Sequence, residues 1–196
     1  MVAGGVGGSR FLLGVRSAYP DADITAIVNV GDDMWHVGVR IAPDLDTIMY
    51  TLAGQNDTSR GWGRVGESER VAGELRAYGV GWPWFTLGDL DLGTHLARTH
   101  YLRSGLPLSS VVPLLTSRWD IGVTLLPSTD SEVETHVRVA PSADAPSGTM
   151  HFQEWWTRHR AALPALAFDF VGASSAVPAP GVLAVLAEAD VVLLAP

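Results

Sequence analysis

The sequence contains no cysteine and no lysine. Without cysteine there is no disulfide, no thiolate nucleophile and no Cys-ligated zinc, and the redox state of the compartment leaves no mark on the chain. All 13 basic residues are arginine. The missing lysine removes the phosphate-binding Lys of a Walker-type loop and any Schiff-base mechanism. No apolar window reaches the length of a membrane span, and no basic-then-apolar signal pattern is found at the N-terminus, so a cytoplasmic protein with no membrane partner is expected. A Gly-x-Ser-x-Gly elbow is also absent, which leaves serine-hydrolase chemistry without support. Positive charge is scarce: 13 Lys+Arg against 21 Asp+Glu give a formal net charge of −8. Nucleic-acid binding needs a basic face to displace counterions, so a polyanionic partner is disfavoured while a single nucleotide is not.

What is present suits one α/β domain over 1–196, since 47% hydrophobic content is ample for a buried core. Apolar spacing predicts helices over 11–18, 45–52, 68–78, 92–104, 109–119 and 181–187. Asp44 is placed as the N-cap of the second, and Pro113 inside the fifth would cost about 3 kcal/mol in a helix interior. Strands are expected over 24–30, 123–126, 135–139, 166–171 and, from its apolar run, 191–194. The loop 141–148 reads as a hairpin tip.

Gly4, Gly5, Gly7 and Gly8 stand near the start of the chain, where a glycine-rich turn lets backbone N–H groups approach phosphate oxygens. The cluster misses the dinucleotide pattern at its last place and lacks the Lys-Ser/Thr ending of a P-loop, and a plain tight turn would also account for it. Asp32 and Asp33 end a β-branched run at the carboxyl edge of the expected parallel sheet, the edge where ligands collect. Asp44 and Asp46 sit at a helix start. Capping explains Asp44 and a turn explains one of the first pair, but four carboxylates exceed what caps require, and close acids repel unless a cation or proton intervenes. His95 reads as a packed or hydrogen-bonded histidine, with the acidic turn Gly88-Asp89-Leu90-Asp91 before it the better functional candidate. The stretch Arg60-Gly61-Trp62-Gly63-Arg64 suits stacking on a planar ring and equally a loop pinned by a buried Trp. The aromatic run His151-Phe152-Gln153-Glu154-Trp155-Trp156 reads mainly as core.

Taken in order, Gly4-Gly5-Val6-Gly7-Gly8, Asn29-Val30-Gly31-Asp32-Asp33-Met34-Trp35, Pro43-Asp44-Leu45-Asp46-Thr47, Arg60-Gly61-Trp62-Gly63, Leu87-Gly88-Asp89, Thr94-His95 with Ala97, Leu126-Pro127-Ser128-Thr129-Asp130 and 151–156 resemble the 2-phospholactate transferase family of coenzyme F420 biosynthesis, the actinobacterial branch above all. The resemblance implies a Rossmann-like, mostly parallel sheet with flanking helices and an added substrate-covering region. It implies transfer of a phosphoenolpyruvyl or 2-phospholactyl group from a guanosine-diphospho-activated donor to the deazaflavin Fo, with release of GMP. The ribityl terminal hydroxyl of Fo would attack the phosphorus. By the same resemblance Gly4, Gly5, Gly7 and Gly8 cradle the donor phosphates, Asp32 and Asp33 are catalytic, and Mg2+ is held by Asp32 with Asp44 and Asp46. Asp46 and the Thr86 region would contact the deazaflavin, and Asp89 the substrate. Which acid takes the hydroxyl proton stays open.

Three departures are visible. Leu90 stands where the family usually has Arg, so a phosphate or carboxylate contact is expected to be missing. Pro113 replaces a helix former. The chain is also expected to be incomplete in its first strand and at its C-terminus relative to the family, with a homodimer as the full-length form. The alternative to an active transferase is a catalytically inactive fragment that binds deazaflavin or nucleotide.

Overall fold

The computed structural model describes residues 1–143 and 145–196. Its central layer is a parallel sheet in the order β1 (Val2–Ala3), β2 (Thr25–Val28), β5 (Thr124–Pro127). Parallel strands need crossovers, and the intervening segments supply helices. These are α1 (Gly5–Ala18), α2 (Pro43–Leu52), α3 (Arg70–Ala77), α4 (Asp89–Arg103) and α5 (Leu108–Thr116). The result is an α/β fold with a helix-flanked parallel sheet. The first strand is two residues long, and the apolar run near Pro196 contributes one parallel bridge to it, Val2 with Leu194. Val2 donates its N–H to the Leu193 carbonyl at 2.8 Å, and Ala195 returns one to Val2 at 2.9 Å. The expected last strand is thus reduced to this bridge, beside α6 (Val182–Glu188).

The main core lies between the sheet and α1, α2 and α5, with Leu12, Ala26, Val28, Ile48, Met49 and Val112 all buried. Helix α1 begins at Gly5, six residues before its apolar periodicity becomes visible, because small residues let it press onto the sheet. A Cβ at Gly8 would come within 3.1 Å of the Ala3 methyl carbon. Helix α5 persists through Pro113. Burial of Leu108, Val111 and Val112 on one face offsets the lost hydrogen bond.

Two further layers complete the fold: a hairpin that escaped the sequence pattern, and a sheet of which the strands expected over 135–139 and 166–171 form part. An antiparallel hairpin, β3 (Met34–His36) and β4 (Val39–Ile41), turns at Val37 and Gly38 with φ of 49° and 77°. A two-residue hairpin turn with positive φ at both central positions favours Asn-Gly, and a β-branched residue is strained there. The second layer is an antiparallel sheet in the order β7 (Thr149–His151), β6 (Glu134–Val139), β8 (Ala165–Val171). β6 and β7 pair across the expected hairpin loop, in which Asp144 lies outside the described residues. The aromatic run after β7 forms a π-helical turn over Glu154–Arg158.

Candidate functional site

The carboxyl ends of β1 and β2, the start of α1 and the start of α2 meet at one place. Asn29, just past β2, donates its side-chain amide to Asp44 Oδ2 at 2.9 Å, and its own Oδ1 accepts from the Gly31 N–H at 3.0 Å. A Cβ at Gly4 would stand 2.8 Å from Asp44 Oδ2, so only glycine lets the loop close on this carboxylate. Asp44 is not the N-cap. The helix starts at Pro43, with Ala42 in the cap position, which frees the Asp44 side chain for the loop and for the Gly5 N–H.

The acids converge, but in different states. Asp32 is half-buried and makes no side-chain hydrogen bond among the described residues. Burial, and then the Asp44 carboxylate beside it, pushes the Asp32 carboxyl up to about 7. Asp33 is fully buried, its Oδ2 3.8 Å from Arg40 Nη2, and neither of its oxygens has a hydrogen-bond partner among the described residues. Burial raises its pKa strongly against the pull of Arg40 and Arg98. Asp46, also buried, is ion-paired to Arg98 and stands 3.5 Å from His95 Nδ1. Burial raises its pKa while Arg98 and His95 work to lower it.

Behind Asp46 the network continues through α4. His95 Nε2 lies 3.3 Å from Asp91 Oδ2, one helical turn earlier, and Tyr50 donates its hydroxyl to Asp91 Oδ1 at 2.7 Å. Asp46, Asp91 and His95 form a group with metal-ligand spacing, each offering an atom within 4.8 Å of the others. Arg98 already occupies one Asp46 oxygen and approaches His95 Nδ1 at 3.1 Å, so a cation in that group would meet a guanidinium. The hard-oxygen pair free of such a partner is Asp32 with Asp44. Mg2+ needs one or two carboxylates and takes its remaining oxygens from water and phosphate, a donor set that this pair fits.

The remaining expected residues fall around this centre unevenly. Asp89 accepts from Ser68 Oγ and from the Val71 N–H at 3.2 Å, which hold its pKa below the usual range and tie α3 to α4. Thr86 sits in the aromatic segment bordering a cleft of about 180 Å³ lined by His36, Val39, Leu75, Trp82, Phe85 and Leu92. Trp82, in its wall, stacks on Trp84 with 4.9 Å between ring centroids, and the His36 ring lies 4.6 Å from Trp82. Gly61, Trp62 and Gly63 join Val6, Arg10 and Thr47 around a smaller pocket beside the start of α1. Arg60 stacks on Trp62 with 3.9 Å to the ring centroid, so that pair is internally satisfied. His151 reaches the site from β7: its ring faces the Asp33 main chain and its Nδ1 accepts from the Gln153 N–H at 3.1 Å.

Arg40, Arg98 and Asn29 were not singled out by sequence pattern. The available signal was a charged residue flanked by apolar ones, Val39-Arg40-Ile41, since a buried Arg is retained only where an acid meets it.

A family model described as 2-phospho-L-lactate transferase CofD matches residues 1–196. The chain is 55% identical over 197 residues to a phosphoenolpyruvate transferase of Nocardia farcinica, covering 100% of this chain and 59% of that protein. It is 53% identical over 196 residues to the phosphoenolpyruvate transferase of Streptomyces coelicolor, covering 100% and 61%. The chain therefore spans about 60% of the length of these curated relatives. A crystal structure of a UPF0052 family member from Bacillus halodurans superposes with a TM-score of 0.61 at 19% identity, over 100% of this chain and 57% of the other, a likeness of fold.

Proposed function

The chain belongs to the 2-phospho-L-lactate transferase CofD family, and from that premise we propose that its site moves a phosphoenolpyruvyl or 2-phospholactyl group from a guanosine-diphospho-activated donor to the deazaflavin Fo, releasing GMP. The observation that carries this reading is the meeting of Gly4 and the start of α1 with Asp32 and Asp44. N–H groups at a helix start receive phosphate, and adjacent carboxylates hold the cation that accompanies it. In this reading Asp32 and Asp44 hold Mg2+, which when bound neutralises charge building on the phosphoryl oxygens.

Asp33 and Asp46 act from behind this pair. With Arg40, Arg98 and His95 they form a buried charged layer that fixes the loop carrying Asp32 and the helix carrying Asp44. Seating the deazaflavin ring falls to the aromatic cleft next to Thr86, whose walls match a planar apolar ring. The ribityl hydroxyl attacks phosphorus and gives up its proton to a base of the site, the new P–O bond forms, and the bond to GMP breaks with the electron pair leaving on the nucleotide phosphate.

Incubation of the chain with Fo, the guanylated three-carbon donor and Mg2+, followed by GMP release, tests the proposal. Release that needs all three supports it. Quenching of Fo fluorescence without release would instead favour a binding module.

A further inference from the structure

Val37 stands at the tip of the β3–β4 hairpin with φ of 49°, followed by Gly38 at 77°. Asn-Gly is the pair that suits such a turn, and a β-branched residue in the left-handed region is strained. Burial does not offset that strain, because Val37 is 40% exposed. The fold alone therefore gives no reason for valine at this position. Strain of this kind is retained where it places a side chain at a functional site.

What the conformation achieves is placement. His36 and Val39 are register partners at the end of the hairpin, and both line the aromatic cleft. Val37 lines it too, so the left-handed turn carries the wall of the cleft past the last pair of strand residues. The facing segment is shaped to receive it. Gly81, another lining residue, has φ of 85°, and a Cβ there would come within 3.2 Å of Val37 Cγ2 and 3.3 Å of His36 Nε2. From the end of α4, Arg103 donates to the Gly38 carbonyl at 3.0 Å and ties down the tip. Below it, Met34, Val39 and Ile41 pack with Phe85, Leu87 and Leu92, which joins the hairpin to the floor of the cleft.

We propose that Val37 is a ligand-contacting, specificity-determining residue of this cleft, whose exposed methyl groups cover one edge of the planar ring seated beside Trp82 and favour an apolar ring edge there. The inference rests on the reading that the deazaflavin ring occupies the cleft. Asparagine at this position would relax the turn and set a polar amide against the ring edge. The residue that suits the hairpin best is thus the one that suits the ligand least, and the two demands can be measured separately.

The test uses the parent and three single variants, each followed by urea unfolding and by fluorescence titration with Fo. Val37→Asn is expected to raise the urea midpoint and to weaken Fo binding about fivefold, the loss of one partly exposed apolar contact. A purely structural role for Val37 would move both readouts in the same direction. Ala161→Gly is the control for strain relief alone. Ala161 has φ of 54°, follows the π-helical turn and stands outside the lining of the cleft, so its variant should gain stability with Fo affinity unchanged. Trp82→Ala reports whether the ring sits in the cleft. Weakened binding in Trp82→Ala with unchanged binding in Val37→Asn would overturn the proposal and leave the seating of the deazaflavin standing. Fo binding that neither variant changes, or no binding by the parent, would overturn both. A Val37→Asn that loses stability and affinity together would overturn the proposal as well, since Val37 would then act through the fold.

Discussion

Asn29 donates its side-chain amide to Asp44 at 2.9 Å, joining the end of β2 to the first turn of α2. This bond ties the loop that leads to Asp32 to the helix carrying Asp44, and Gly4 lies against the same carboxylate.

Gly4→Ala is expected to disrupt this arrangement, because its methyl carbon would lie 2.8 Å from Asp44 Oδ2 and 3.4 Å from Asn29 Cβ. Gly14→Ala is the control. It lies within α1 with nothing within 4 Å of an added Cβ, and should stabilise by about 0.5–1 kcal/mol. Urea unfolding of both checks this, with loss for the first and gain for the second.

Arg98→Met leaves the buried Asp46 without its guanidinium, and the expected cost is about 3–5 kcal/mol. Asp46→Asn combined with Arg98→Met removes both charges and should recover part of that loss. Denaturant midpoints decide it: a double variant as unstable as the single one would mean that Arg98 acts through packing rather than charge.

Burial and the neighbouring Asp44 carboxylate raise the carboxyl of Asp32 from its ordinary value of 3.8 to about 7. Between those two values the folded state holds a proton that the unfolded state has lost, so this group makes the metal-free protein more stable as pH falls from 8 towards 5. Asp33, Asp44 and Asp46 are raised too and act in the same direction. Thermal melts across this range should show a rising Tm towards acid, less steep in Asp32→Asn, whose Tm at pH 8 should exceed that of the parent. An identical slope in the two proteins would contradict the assignment.

Trp82 forms a wall of the cleft by stacking with Trp84 and His36. Trp82→Ala is expected to weaken Fo binding by about tenfold or more, since base–aromatic stacking contributes roughly 1–3 kcal/mol. A fluorescence titration of Fo measures it. Unchanged affinity would place the ring elsewhere.

Long periodic segments were legible in the sequence because burial on one face imposes their spacing, as in α2, where Leu45, Ile48, Met49 and Leu52 all face the core. The acids were legible too, since Asp32, Asp33, Asp44 and Asp46 fall at element ends where a sheet collects ligands. Hairpin β3–β4 was not, because its turn uses Val37 where Asn would have announced it. Nor was the division of labour among the acids. Asp33 and Asp46 lie on the buried side only because Arg40 from β4 and Arg98 from α4 reach them across 7 and 52 positions, and no local pattern reports such a meeting.

The most direct test of the account is the Mg2+ dependence of GMP release from the guanylated donor in the presence of Fo, measured on the parent chain and on Asp32→Asn. The account predicts saturable Mg2+ activation in the parent, abolition by chelation, and a loss of at least a hundredfold in the variant while its circular dichroism is unchanged. Release that persists after chelation, or proceeds equally in Asp32→Asn, would contradict it.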